Sequence, residues 1–464
     1  MTRDTDIATL RDGFAGSVLT PADADYETSR PSWVWNGDID RRPAVVAGCK
    51  TADDVTAAVR IARESGSELT VRGGGHSFSG SAIADGGVMI DLSRMREVRV
   101  DPEARTAICG GGATLADLDT AAQRHGLATP GGTISHTGVA GLTLGGGFGW
   151  LTGMFGLSAD NLIGADVVLA DGRQVRASDT EHPDLFWALR GGGGNFGVVT
   201  SFEFRLHPVG PLVNLGLFFW GLEDGDKALR LGRDLRPTLP RASNLMLTAM
   251  NAPPAPFVPE QHHFRPGYAV VVAGFASPEE HAELVAPLRA ADPLFELVTP
   301  LPYLELQKML DDAAPWGILA YEKALYLDEI TDEIIAVTTE HAPKKSSPMS
   351  ICPIFSMDGA FCDADEDDIA FGGSRTPKYA FNMAAISDNP DVMPAEKAWV
   401  RDFWQALTPH SRESAGYVNF MNEFDEDRVR AAYGPAKYDR LARIKADYDP
   451  DNAFHHNQNI KPAR

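Results

Sequence analysis

Hydrophobic positions in the first 210 residues recur alternately at helical and at strand spacing. Between residues 51 and 64 (TADDVTAAVRIARE), Val55, Ala58, Val59 and Ala62 fall on one helical face, behind Thr51 and two acidic residues that suit a helix start. The run leads into a predicted strand at 68–72. Short β-rich runs follow at 88–92 and 106–109, then a helix over 114–125 whose Thr114 and Asp117 have capping-box spacing. Residues 167–170 and 174–177 flank Asp171-Gly172, a pair suited to a tight turn, and predict a hairpin.

From about residue 212 glycine clusters become rare, and β-rich segments are separated by amphipathic helices. Candidate strands are 215–220, 245–250, 268–275, 323–327, 350–355, 382–387 and 417–420; candidate helices are 278–290, 332–341 and 395–407. This order predicts an antiparallel sheet backed by helices on one face, hence an α+β fold class. Pro253, Pro254, Pro256 and Pro259 punctuate one loop, and residues 363–368 (DADEDD) make another acidic; both read as solvated connections. A short helix over 441–448 is ended by Asp449-Pro450.

At 464 residues the chain exceeds one core and implies two or three domains. A net charge of −22 excludes nucleic acid and anionic membrane as partners, since either needs a basic face. No apolar run approaches a membrane span, and the opening MTRDTDIATL lacks the regions of a signal peptide, so the expected location is the cytoplasm. The four cysteines, Cys49, Cys109, Cys352 and Cys362, lack metal-site spacing and read as thiols in a reducing compartment. Neither they nor the pairs His262-His263 and His455-His456 predict a metal site. An oligomeric state is not legible.

The chemistry concentrates at Arg72-Gly73-Gly74-Gly75-His76-Ser77. Glycines let the backbone approach an anion closely, so that successive amides converge on phosphate oxygens; Arg72 adds charge, and His76 offers one nucleophilic imidazole. Residues 192–197 (GGGNFG) satisfy G-x-G-x-x-G literally. A dinucleotide fingerprint should follow a strand and open a helix, whereas this run follows a helix-like 183–189 and opens a strand at 198–206.

Four segments together, 71–80 (VRGGGHSFSG), 135–149 (SHTGVAGLTLGGGFG), 184–197 (DLFWALRGGGGNFG) and 448–460 (YDPDNAFHHNQNI), resemble the berberine-bridge-enzyme-like branch of the FAD-linked oxidases, in the vanillyl-alcohol-oxidase superfamily. The resemblance implies a PCMH-type FAD-binding domain of two small α+β subdomains formed by residues 1–210 and 417–464. A substrate domain over 211–416 would place its sheet as a roof over the flavin. It implies covalent FAD, attached through His76 only, because Ile134 stands where doubly linked members carry a cysteine. The cofactor-binding residues it implies are Arg72, Gly73, Gly74, Gly75, His76, Ser77 and Gly80 in the first segment, with Gly131, Ser135, His136, Thr137, Gly138, Gly141, Gly145, Gly146 and Gly149 in the second. Gly197, Val198, Tyr417, Asn419 and Asn457 complete the set. Thr137 matches a position that controls oxygen access.

The implied reaction removes hydride from a small-molecule substrate, an alcohol, sugar, phenol or other secondary metabolite, with reoxidation by O2 to hydrogen peroxide. Relatives often carry Tyr-x-Asn-Tyr with the second tyrosine as base; here the run is Tyr417-Val418-Asn419-Phe420, and Phe420 cannot accept a proton. Tyr417, Tyr326, Glu322 and Asp363 are the substitute candidates. The aromatics Phe218, Phe219, Trp220, Tyr303, Trp316, Tyr321 and Tyr326 are candidates either for a substrate pocket or for ordinary core. A flavin-binding protein without turnover, or a dehydrogenase using another acceptor, remains the alternative.

Overall fold

The computed structural model describes residues 4–411, 416–422 and 426–464. Three parallel strands, Val45–Gly48, Val88–Asp91 and Leu69–Arg72, form one small sheet with Ser17–Leu19 antiparallel at its edge. Its helix, Ala52–Ser65, starts at a capping box between Thr51 and Asp54 and ends at Gly66 in the left-handed region (φ 62°). A five-stranded antiparallel sheet follows in the order Val98–Asp101, Thr106–Gly110, Val198–Arg205, Leu162–Val168, Gln174–Ala177. The last two strands are the hairpin expected around Asp171-Gly172. Helix Leu115–Gln123, capped by Thr114 and Asp117, packs on this layer.

The second half is a seven-stranded antiparallel sheet. Its order is Phe295–Pro302, Leu212–Gly221, Pro266–Gly274, Ser243–Asn251, Cys352–Met357, Lys378–Ser387, Leu319–Leu327. Strand alternation divides its two faces. Phe218, Trp220, Leu247, Leu325 and Phe381 pack with helices Gly225–Leu235, Pro278–Arg289, Asp332–His341 and Met393–Leu407. Phe219, Met246, Tyr326 and Phe355 join the core shared with the first half. The candidate strand at 417–420 is instead a 3-10 turn, Val418–Phe420, and the tail helix starts earlier than expected, at Pro435.

The halves are clipped together near the glycine loop. Trp35 Nε1 donates to the Ala314 carbonyl at 2.8 Å, Gly317 N donates to Trp35 O at 3.0 Å, and Gly37 N donates to Ile318 O at 2.8 Å. Farther along the junction, Asp119 is buried at 3% exposure with one donor, Gln307 Nε2 at 2.9 Å. Burial raises its pKa to about 7, against the opposing effect of that hydrogen bond. The folded chain therefore binds more protons than the unfolded one between about pH 4 and pH 7, so this carboxyl's contribution to stability falls as pH rises through that window. Asp119→Asn, which keeps an acceptor for Gln307, is expected to stabilise the protein by roughly 1–4 kcal/mol at pH 8 and to leave it nearly unchanged at pH 4, read by thermal unfolding at the two pH values.

Candidate active site

A cavity of about 380 Å³ lies between the glycine loops of the first half and the inner face of the large sheet, a volume within the range of cofactor sites. Residues 73–77 follow strand Leu69–Arg72 directly. The backbone N–H groups of residues 74–77 have no acceptor among the described residues, so they remain available as donors. Among the described residues no lysine or arginine lines the cavity, which leaves backbone amides as their main attraction for an anionic group. A Cβ added at Gly141, or at Gly193 or Gly194, would meet almost nothing but open cavity. These positions form a cradle for a flat or charged group. Gly74 and Gly138 have a different reason to be glycine: each hypothetical Cβ would fall within 2.6 Å of the other residue's backbone.

His76 borders the cavity and stacks on Trp35, ring centroids 4.6 Å apart at 14°. Enclosed by protein yet keeping surface toward the void, its imidazole is driven to a pKa of about 3, by burial first and by His136 second. It is therefore neutral at physiological pH. Its Nε2 has no partner among the described residues.

Gly73, Gly74, Gly75, His76, Ser77, Thr137, Gly138, Gly141, Gly197, Val198, Tyr417, Asn419 and Asn457 line the cavity together. The other residues expected at the cofactor do not. Arg72 turns away, donating to Asp91 at 2.7 Å and to the carbonyls of Trp33 and Ser32 at 2.9 and 2.8 Å, so its charge is neutralised elsewhere. Ser135 is held by Asp311, which accepts from its N–H at 2.7 Å and its hydroxyl at 2.6 Å. His136 stands behind it, its ring 5.0 Å from that of His76. Gly80, Gly131 and Gly146 make room for Ile39, Leu115 and Phe371, Gly149 for the backbone of Gly131 and Gly132, and Gly145 for the Asn419 side chain.

Among the base candidates, Asp363 is exposed and paired with Arg241 outside the cavity, Nη2 to Oδ1 at 2.8 Å. Tyr326 is buried in the shared core away from the cavity, with Lys378 Nζ 4.6 Å from its ring centre. Tyr417 reaches the cavity, but its hydroxyl accepts from Gly147 N at 2.9 Å and Asn419 Nδ2 at 2.8 Å, and burial pushes its pKa up. Tyr417→Phe is expected to destabilise the fold by about 1–2 kcal/mol while leaving the pH profile of any activity in place, checked by unfolding and by rate against pH. Glu322 remains. It lines the cavity fully buried, its Oε2 accepts from Asn382 Nδ2 at 2.7 Å, and burial raises its pKa to about 8 against that hydrogen bond.

None of the aromatics considered for a substrate pocket lines the cavity. Phe218, Trp220 and Tyr321 pack on the helix side, Phe219 and Tyr303 lie in the shared core, and Trp316 is exposed. The aromatic lining includes Trp35, Phe78, Phe148, Phe355 and Phe420, and strand Lys378–Ser387 adds Asn382. The sequence carried a signal for Glu322, a charge on an otherwise apolar strand face. It carried none for Asn382.

Comparison with known proteins agrees with this geometry. An FAD binding domain model matches residues 43–178, and a berberine and berberine-like model matches residues 416–461. An FAD-linked oxidoreductase of Dictyostelium discoideum is 30% identical over 92% of this chain and 91% of its own length. The (R)-6-hydroxynicotine oxidase of Paenarthrobacter nicotinovorans is 30% identical over 96% of this chain and 97% of its own. The crystal structure of 6-hydroxy-D-nicotine oxidase from Arthrobacter nicotinovorans superposes with a TM-score of 0.85 at 27% identity, covering 97% of this chain and 99% of that one. A xylooligosaccharide oxidase from Myceliophthora thermophila shares the fold, with a TM-score of 0.85 at 24% identity and full coverage of both chains. The matched sequence, the shared fold and the glycine-lined cavity agree, and the chain belongs to the berberine-bridge-enzyme-like family of FAD-linked oxidoreductases.

Proposed function

We propose that this oxidoreductase is an oxidase that holds FAD in the cavity, joined to the protein through His76 alone, and that it oxidises a small molecule with O2 as final acceptor and H2O2 as product. The observation that carries this reading is His76 itself: a neutral imidazole with an unpartnered nitrogen, beside four free backbone amides. When bound, the flavin supplies the hydride acceptor. The amides of residues 74–77 hold anionic oxygens, and the open faces of Gly141, Gly193 and Gly194 leave room for the cofactor. Ile134 lines the cavity where a second attachment would need a thiol.

Glu322 is the group suited to receive the substrate's proton. It borders the cavity, and its raised pKa of about 8 places it near the working range of a general base. Asn382 orients its carboxyl, while Trp35, Phe148 and Phe355 give the cavity an apolar lining. Relatives named as oxidases of 6-hydroxynicotine and of xylooligosaccharide bring amines and sugars into the substrate range alongside alcohols and phenols. Residues 1–210 with 417–464 are assigned to FAD and 211–416 to substrate. A dehydrogenase using another acceptor, or a flavoprotein without turnover, is the second reading, favoured by Phe420 where relatives carry a tyrosine base.

The test is direct. Protein purified in the dark should be yellow and should release peroxide with a member of a panel of amines, alcohols, phenols and sugars. Flavin bleaching by a substrate without peroxide would favour the dehydrogenase.

A further inference from the structure

The cavity roof carries two hydrogen-bond acceptors that none of the described residues satisfies. Glu322 Oε1 and Asn382 Oδ1 are buried and have no partner among the described residues, while Asn382 Nδ2 donates to Glu322 Oε2 at 2.7 Å. With Glu322 ionised, above its raised pKa of about 8, that donation sets which end of the amide is the oxygen. The two acceptors sit on side chains joined by one hydrogen bond. What they lack is a donor, and buried polar groups are normally paired.

Charge narrows the donor. Among the described residues, the titratable groups lining the cavity are His76, Glu322, Tyr417 and His456, with no lysine or arginine. His76 is held neutral and Tyr417 is held in its phenol form by burial. An ionised Glu322 therefore has no cation opposite it among the described residues, and an anionic substrate would meet no counter-charge from them.

The walls narrow it further. The strands that carry the acceptor pair and their neighbour add Ile351, Pro353, Phe355, Ala384 and Ile386 to the lining. A sugar would leave most of its hydroxyls unpaired against such a surface, each at the full desolvation penalty, whereas an apolar body with one polar head would not.

We propose that the substrate is a small, largely apolar amine whose nitrogen bridges Glu322 and Asn382. This rests on the flavin-oxidase reading of the same cavity. An ammonium offers two N–H donors and the missing positive charge. Oxidation then balances simply: Glu322 takes one proton from nitrogen, the carbon bonded to that nitrogen gives up hydride to the flavin, and a carbon–nitrogen double bond forms. The iminium is hydrolysed by water after release.

The test uses the flavin-loaded protein and two isosteres that carry no hydrogen on the reacting carbon, α,α-dimethylbenzylamine and 2-phenyl-2-propanol. Each is titrated at pH 8 while perturbation of the flavin absorption is followed, with xylobiose as a third probe. The amine is expected to bind at least about tenfold more tightly than the alcohol, and xylobiose to bind more weakly than either. In Glu322→Gln, whose side chain still accepts from Asn382, the amine preference should shrink to within about threefold. An alcohol or xylobiose that binds as tightly as the amine, or a Glu322→Gln protein that keeps the preference, overturns the assignment. Protein that purifies without flavin contradicts the oxidase reading itself. Flavin-loaded protein with no amine preference contradicts only the amine.

Discussion

His76→Ala is expected to abolish acid-stable flavin. The wild-type protein, precipitated with acid and washed, should retain its yellow colour in the pellet, and the variant's colour should remain in the supernatant. His76 borders the cavity as a neutral ring on the glycine loop; the other described histidine lining the cavity, His456, comes from the tail, its Nδ1 3.1 Å from the Ser81 carbonyl, and no described cysteine lines it. Loss of the attachment removes a bond, not the cradle. Amides 74–77 and the open glycines remain, so the variant should still bind added FAD reversibly. Removing the ring also leaves a void beside Trp35, whose stacking partner is gone. That should cost about 1–3 kcal/mol of stability, measurable by unfolding of the two flavin-free proteins.

Glu322→Gln should have the largest effect on turnover among variants that keep the flavin, a loss of about 100-fold to 10,000-fold in kcat/KM. The carboxyl must be ionised to accept a proton. Because burial raises its pKa to about 8, the wild-type rate should climb with pH below about 8 and level off above it. Glutamine cannot titrate, so that limb should vanish in the variant while any residual rate stays flat. A limb that persists at the same place would assign the proton to another group. Tyr417 is a poor substitute, since its phenol is held protonated by burial.

The glycine loop and its histidine were legible because they are contiguous, six residues on a strand end. The helices at 51–64 and 114–125 were equally plain, since capping residues and apolar spacing agreed. Strand Phe295–Pro302 was not: Pro300 and Pro302 argue against a ladder, and only its place at the sheet edge allows them. The 417–420 run alternates like a strand but closes as a turn, tied to the first half by hydrogen bonds from Asn419 to the carbonyls of Gly141 and Leu142. The direction Arg72 takes is hidden for a similar reason. Its parallel register places it opposite Asp91, and that pairing is invisible in linear sequence. Glu322 and Asn382 lie 60 residues apart and meet only because their strands pair Glu322 with Ala384 and Ala324 with Asn382. A diagonal contact of this kind depends on register, which the pattern of apolar residues does not specify on its own.

The claim on which the rest depends is a bond between His76 and the flavin. Tryptic digestion of the purified protein should yield the peptide between Arg72 and Arg94 carrying the mass of one FAD, with fragmentation placing the addition on His76. The same peptide recovered wholly unmodified from yellow protein, or a flavin found on any other residue, would contradict the account.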